Sequence, residues 1–486
     1  MLFRPLALLL LAVAGAGLSR FAWPTPVADA APVAPAAMPY GVHGPAFAPL
    51  SAVSCAAASC HGGGQVGRKG SEHSTWAPNE ARGKDRPADP HANGYRVLFS
   101  ADSARMVKAV GGGPAYRNNL CLKCHAVPEV RPAAAMSEGV SCGACHGPAD
   151  GWLAAHVHPG WAGVPNRERW NRYGFAPTKN LVARSLICAS CHVGDADREV
   201  NHDLIAAGHP RLAFESARSH FRPSYRKHWT ERTPTAEFEV RAWVIGQVAS
   251  LRAAVELLRA RAGRAAETDS RTPWPEFAGQ SCYACHHPIS DKPVSPGPRP
   301  LGRAGWEIWP TAAVEVAARF TTELYPGVPV PRWKSLPKLQ AEMGKVVPDA
   351  TTVTRLAADA TAELDLWLVA VQAAEDCGPP APPADITRRI AHALAGHALS
   401  ADRKAVADRD WDALAAHYLG CAAMYHASGG AKVVPTWSAP VRGLAGLLTF
   451  PAGYVSPKDF DDTKREQVRQ QFAALFDATT EPGEKR

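Results

Sequence analysis

Gly139-Val140-Ser141-Cys142-Gly143-Ala144-Cys145-His146-Gly147-Pro148 holds the pattern on which the reading of the whole chain turns: two cysteines two residues apart, with histidine directly after the second. The same arrangement recurs at Cys121-Leu-Lys-Cys124-His125, Cys188-Ala-Ser-Cys191-His192 and Cys282-Tyr-Ala-Cys285-His286, and in a longer form at Cys55-Ala-Ala-Ala-Ser-Cys60-His61. Ten of the twelve cysteines are used in this way. The spacing is that of covalent haem attachment. Each thiol adds across one vinyl group, the two vinyls sit on adjacent pyrrole rings, and a short arc of backbone joins the anchors. The following histidine then lies beneath the iron as proximal ligand. Five haems c are therefore expected, on Cys55/Cys60, Cys121/Cys124, Cys142/Cys145, Cys188/Cys191 and Cys282/Cys285, with His61, His125, His146, His192 and His286 as proximal ligands.

Zinc and disulfides are the competing uses of paired cysteines. Zinc does not require histidine after every second cysteine. With 19 histidines in 486 residues, five such coincidences would arise about once in ten million. Cys377 and Cys421 stand alone. A disulfide between them and two buried apolar thiols are both open readings.

The chain begins Met-Leu-Phe-Arg and runs almost uninterrupted apolar from Pro5 to Leu18, too short for a membrane span of about 20 residues. This fits a secretory leader over 1–30, with small residues at Ala28-Asp29-Ala30 before a Pro/Ala-rich linker over 31–50. The alternative is an uncleaved N-terminal anchor, and with it membrane association. Either reading exports the rest, to the periplasm or an equivalent compartment. The net charge of +8 is spread along the chain rather than massed in a run, so no nucleic-acid partner is expected.

A pentahaem region is expected over 51–300 and a helical C-terminal region over 301–486. The fold class is mainly α: a loop-rich, haem-packed part followed by a bundle-like part. Thr233-Pro234 opens a helix whose apolar residues recur at Val240, Val244, Val248, Leu251, Val255 and Leu258. Pro288 to Gly302 reads as a loop or linker. Val353, Leu356, Ala360, Leu364, Trp367 and Val371 form a second stripe, stopped by Gly378-Pro379-Pro380. Trp411, Leu414, Tyr418, Cys421 and Tyr425 form a third, and Lys464 to Phe476 a last helix. No strand alternation stands out.

Fourteen histidines remain after the five proximal ones, and they decide the chemistry. A second axial histidine makes a haem suited to fast electron transfer, whereas an empty sixth position makes an iron that binds substrate. His91, His156 and His209 are the candidate distal ligands, followed by His202 and His228. His287 cannot easily reach the far face of its own haem but could reach another. His392, His397, His417 and His426 fall on expected helices and read as structural.

The order Cys55–His61, Asp89-Pro90-His91, Cys121–His125, Gly139-Val-Ser-Cys142–His146-Gly147-Pro148 and Cys188–His192 resembles the cytochrome c-554 family, over roughly residues 50 to 230. That family includes a tetrahaem electron carrier with three bis-histidine haems and one open axial position. The resemblance implies His156 across from the first haem, His91 as ligand to a later one, and an open position at the haem of His125. The longer first motif, the fifth haem site and the C-terminal region depart from the family pattern. Two functions are carried forward. One is electron transfer between redox protein partners. The other is an oxidoreductase of a small nitrogen or sulfur species, or of peroxide, at one five-coordinate haem.

Overall fold

The computed structural model describes residues 39–40, 47–65, 67–77, 89–127, 129–220, 228–229, 235–280, 282, 285–286, 306, 308–399, 411–449 and 462–481. The leader, most of the linker, His287 and the stretch 288–302 lie outside these residues. The protein is mainly helical; among the described residues the only β pairing is two isolated bridges, Leu50 with Arg131 and Gln280 with Trp306.

From residue 47 to residue 220 the chain consists of short helices and turns. Few residues here are apolar enough to bury, and the apolar clusters are correspondingly small, such as Leu98, Ala115, Leu122 and Ala126. Each Cys-Xaa-Xaa-Cys-His run between 119 and 192 ends a helix at its histidine: Asn119–His125, Cys142–His146 and Leu181–His192. Side-chain caps start two of them. Asn118 Oδ1 accepts from the Leu120 N–H, and Asn180 Oδ1 from those of Val182 and Ala183. Gly147, directly after His146, has φ +81°, and a Cβ there would stand 2.1 Å from the Gly174 carbonyl oxygen. Only glycine allows the chain to turn away so tightly behind the motif.

The C-terminal part is a helical bundle. We number its helices, with the one that leads into it, α1 (Leu181–His192), α2 (Ala236–Ala266), α3 (Ser335–Met343), α4 (Ala350–Cys377), α5 (Ile386–Leu399), α6 (Trp411–Ala427), α7 (Pro435–Leu447) and α8 (Asp462–Thr479). Thr235 caps α2 by accepting from the Phe238 N–H, just after the expected opening at Thr233-Pro234, which lies outside the described residues. All six residues of its expected stripe are buried, but so are Trp243, Ile245 and Ala249 between them. A helix apolar on all sides is a central one, and α2 packs against α1, α4 and α6 together. Asp349 caps α4 through the Thr352 N–H, and Gly378 at φ +75° ends it. One apolar core runs from Leu181 on α1 to Leu475 on α8, so the helix bearing the fourth motif is itself part of the bundle wall.

Two buried ion pairs tie the bundle together. Arg252 on α2 donates to both carboxylate oxygens of Asp365 on α4, at 2.8 and 3.2 Å. Arg211 donates from Nη1 to both oxygens of Asp412 on α6, at 2.7 Å each. Cys377 is exposed at the end of α4, while Cys421 is fully buried on α6, and both are free thiols. The disulfide alternative therefore does not form.

His417 on α6 is fully buried. Its Nδ1–H donates to the Ala413 carbonyl at 2.6 Å, so its Nε2 accepts from His397 Nδ1 at 2.8 Å. Burial, then His397 beside it, pushes its pKa down to about 3. The unfolded chain therefore binds a proton below about pH 6.5 that the folded chain refuses. The stability that this histidine contributes is complete above that pH and falls as the solution is acidified, by about 1.4 kcal/mol per pH unit. Urea midpoints at pH 5 and pH 7 should differ less in His417→Phe than in the parent.

Candidate functional site

The five motif histidines do not cluster with one another. Each faces one histidine from a distant part of the chain. His61 faces His156, with ring centres 6.4 Å apart and planes 17° from parallel. His91 faces His192 at 6.1 Å and 90°, and His209 faces His125 at 6.3 Å and 86°. His228 faces His146 at 6.4 Å and 38°, and His202 faces His286 at 6.3 Å and 33°. An imidazole nitrogen sits about 2 Å from a bound first-row metal and about 1 Å ahead of its own ring centre, which puts two rings on one metal about 6 Å apart. All five gaps have this width, so each could hold one six-coordinate iron.

The outer ring nitrogens supply a second test. His125 Nδ1 lies 3.0 Å from the Gly94 carbonyl, His156 Nδ1 2.6 Å from that of Leu153, and His209 Nδ1 2.7 Å from that of Pro210. A carbonyl only accepts, so each Nδ1 carries the proton and each Nε2 keeps a lone pair for a metal. Carboxylates do the same work for His61, through Glu72 Oε2 at 2.9 Å, and for His91, through Asp89 Oδ1 at 2.9 Å. The pair of His146 and His228 differs. Both Nδ1 atoms are buried and without a partner. Burial first, and the neighbouring His228 next, holds His146 neutral, with its pKa pushed down to about 3; burial pushes His228 down as well. Neutral imidazole is the metal-binding form.

None of the ten motif cysteines is joined in a disulfide. Cys55 of the first motif and Cys142 of the third are in hydrogen-bond contact, as are Cys124 of the second and Cys191 of the fourth, while Cys145 lies beside Cys188 and Cys191. The first four motifs thus adjoin one another in the order first, third, fourth, second. His202 and His209, which face the fifth and second motifs, share one short segment around the helix His202–Ala206. A recess lined by Val193, Val200, Ile205, Phe214, Leu257 and Trp309 opens between that segment and the end of α1. Among the described residues no three His, Cys, Asp or Glu side chains converge to hold a bare metal ion.

Residues 86–147 match the family model described as cytochrome c554 and c-prime. No curated protein and no solved structure matches the chain. The matched segment contains Asp89, His91 and the whole of the second and third motifs. The likeness over this segment suggests a multihaem c-type cytochrome domain, a kind of protein that carries covalently attached haem and transfers electrons.

His91, His156 and His209 each stand opposite a motif histidine, and so do His202 and His228. His392, His397 and His417 lie in the bundle with protein partners: Phe476 stacked on His392, and His397 bonded to His417. Glu72 and Asp89 were not singled out from the sequence as site residues. Their signal was a carboxylate close in sequence to a ligand-type histidine, which is too common to stand alone.

Proposed function

We propose that the chain binds five covalent haems, one on each motif, every iron held between two histidines, and relays electrons between redox proteins outside the cytoplasm. The observation that carries this reading is the set of five histidine pairs with ring centres 6.1–6.4 Å apart. The anchoring thiols are those of Cys55, Cys60, Cys121, Cys124, Cys142, Cys145, Cys188, Cys191, Cys282 and Cys285. Bound there, haem supplies a one-electron couple. Two histidines at each such site would hold the iron in both oxidation states, so little would rearrange when the charge changes. Contacts between cysteines of neighbouring motifs bring the sites near one another, as tunnelling requires.

The first and fifth motifs are the places for partners to dock. Cys60 and Cys285 are exposed, as is His286, while the cysteines of the three motifs between are partly buried. Export through the N-terminal leader would put the protein in the compartment where thiol-bound haem is an advantage. The reading with a substrate at an open iron is disfavoured because each motif histidine, His125 included, has a second imidazole opposite it.

The test uses the protein matured with its haem-attachment machinery. Its mass should exceed that of the chain by five haems, and electron paramagnetic resonance of the oxidised form should show only low-spin iron, unchanged by nitric oxide. A high-spin iron that takes up nitric oxide would reverse the choice between carrier and enzyme.

One ligand environment makes a graded prediction. Asp89, almost fully buried, accepts both the backbone N–H of His91 and its ring Nδ1–H. A carboxylate in that position makes the imidazole a stronger donor and favours ferric iron. Asp89→Asn keeps an acceptor and loses the charge. The ferric-to-ferrous equilibrium of one iron should shift about tenfold toward ferrous, about 59 mV upward, in a spectroelectrochemical titration.

A further inference from the structure

Two buried carboxyl groups meet where the haem region joins the bundle, and neither belongs to the ligand sets above. Glu239, in the first turn of α2, is fully buried, and neither of its carboxyl oxygens has a hydrogen-bond partner. Glu215 is also buried and accepts from the backbone N–H groups of Ala217 and Arg218, at 3.2 and 2.6 Å. A carboxylate with two amide donors tolerates a negative charge, whereas one with none does not.

The surroundings tie both groups to iron sites. Phe214, the residue before Glu215, stacks on the His192 ring at 5.2 Å and 23°. Trp309 Nε1 holds that segment in place by donating to the Phe214 carbonyl at 2.9 Å. Phe238, the residue before Glu239, lies 4.6 Å from the His220 ring; His220 is followed by Trp229 at 5.5 Å, and Trp229 by His228 at 5.2 Å. The carboxyl groups therefore sit between the fourth and third sites.

Arg218, on the short helix Ser216–His220, is the positive charge that acts on both carboxyls, and it also acts on Tyr418 and His426 of α6. Arg184 of α1 lies over Trp229 and Phe238. Two residues further along α2, Arg241 is engaged with Glu375 of α4, which accepts from the Tyr325 hydroxyl. Among the described residues no cation is paired with Glu239.

We infer that Glu215 and Glu239 form a buried proton-holding pair that takes up one proton from solvent when a neighbouring iron accepts an electron. The inference rests on the proposed haem ligation. Charge balances: ferric iron gains one electron from a one-electron donor protein and becomes ferrous, and a carboxylate gains one proton and becomes a carboxylic acid. Burial, then the charge of Glu215, raises the Glu239 pKa to about 9; burial raises that of Glu215 to about 7, against the pull of its two amide donors. Near neutral pH the pair thus holds one proton and is poised to take a second. As a coupled pair it titrates as a unit.

The measurement is a spectroelectrochemical titration of the holoprotein between pH 5 and pH 9, with reduced-minus-oxidised infrared difference spectra, on the wild type, Glu239→Gln and Glu215→Gln. Haem content by mass comes first; a chain without the five haems would refute the ligation rather than the proton site. With all five present, one iron should show a potential that falls as pH rises, by at most about 59 mV per pH unit, the tenfold limit for one proton per electron. A carboxylic C=O band should grow on reduction of the wild type. Both signals should vanish in each variant. A pH-independent potential in the wild type, no carboxyl band, or a slope that survives both substitutions would overturn the inference, and the wild-type spectra decide the matter even where a variant folds poorly.

Discussion

His209→Ala should convert one low-spin iron into a high-spin iron that binds nitric oxide, one equivalent per chain, with none bound by the parent. The ring of His209 stands 6.3 Å from that of His125, and the carbonyl of Pro210 fixes its tautomer. Its removal opens one axial position and leaves His125 attached through the motif helix. The substitution is the most discriminating one because the family resemblance implies an open iron at this same motif. If the wild type already binds one nitric oxide and His209→Ala binds no more, His209 is not a ligand and the second motif carries a substrate site. The expected gain from zero to one is read from the amplitude of the ferrous nitrosyl signal.

Asp365→Ala should lower the unfolding free energy by about 3–5 kcal/mol, because it leaves the Arg252 guanidinium buried without its counter-charge. The pair is about nine-tenths enclosed, with side-chain exposures of 10% for Arg252 and 9% for Asp365, and it is bidentate. It joins the two longest helices of the bundle, α2 and α4. The double change Arg252→Met with Asp365→Leu should recover most of the loss, since apolar residues of similar volume satisfy such a site about as well as an ion pair does. Urea denaturation followed by far-ultraviolet circular dichroism checks both. Equal stability of parent and single variant would mean that water reaches the pair.

The motifs were legible because covalent attachment imposes a local constraint: both thiols and the ligand must lie within a few residues of one another. The same locality made α4 and α6 legible as apolar stripes at helical spacing, α4 with a clear stop at Gly378, although α6 proves buried on nearly every side. Helix α7 was not. It begins at Pro435 and carries Pro440 within it, residues that read as breakers, although proline in the first turn lacks only an N–H that has no helical partner. The partners of the motif histidines were legible only in part. His91 and His156 drew attention through their neighbours in sequence, but the pairing of His146 with His228, or of His286 with His202, is made by the tertiary fold and leaves no periodic trace. Glu239 could not have been picked out either. An acid in the first turn of a helix reads as a favourable charge at the positive end of the dipole, and only its burial in the folded protein reveals that it is enclosed.

The angles between facing imidazoles bear on electronic structure. With iron between them, each ring donates π density into the metal d orbital that lies perpendicular to its own plane. Where the rings are nearly parallel, as for His61 and His156 at 17°, both load the same orbital and split the pair. Where they cross, as for His91 with His192 at 90° and His125 with His209 at 86°, the two orbitals are loaded alike and stay nearly degenerate. Orbital angular momentum then survives, and the ferric ion becomes magnetically far more anisotropic. The five histidine pairs divide into two crossed and three more nearly aligned, so with iron bound as proposed the backbone that orients the histidines would also set the magnetic character of each metal.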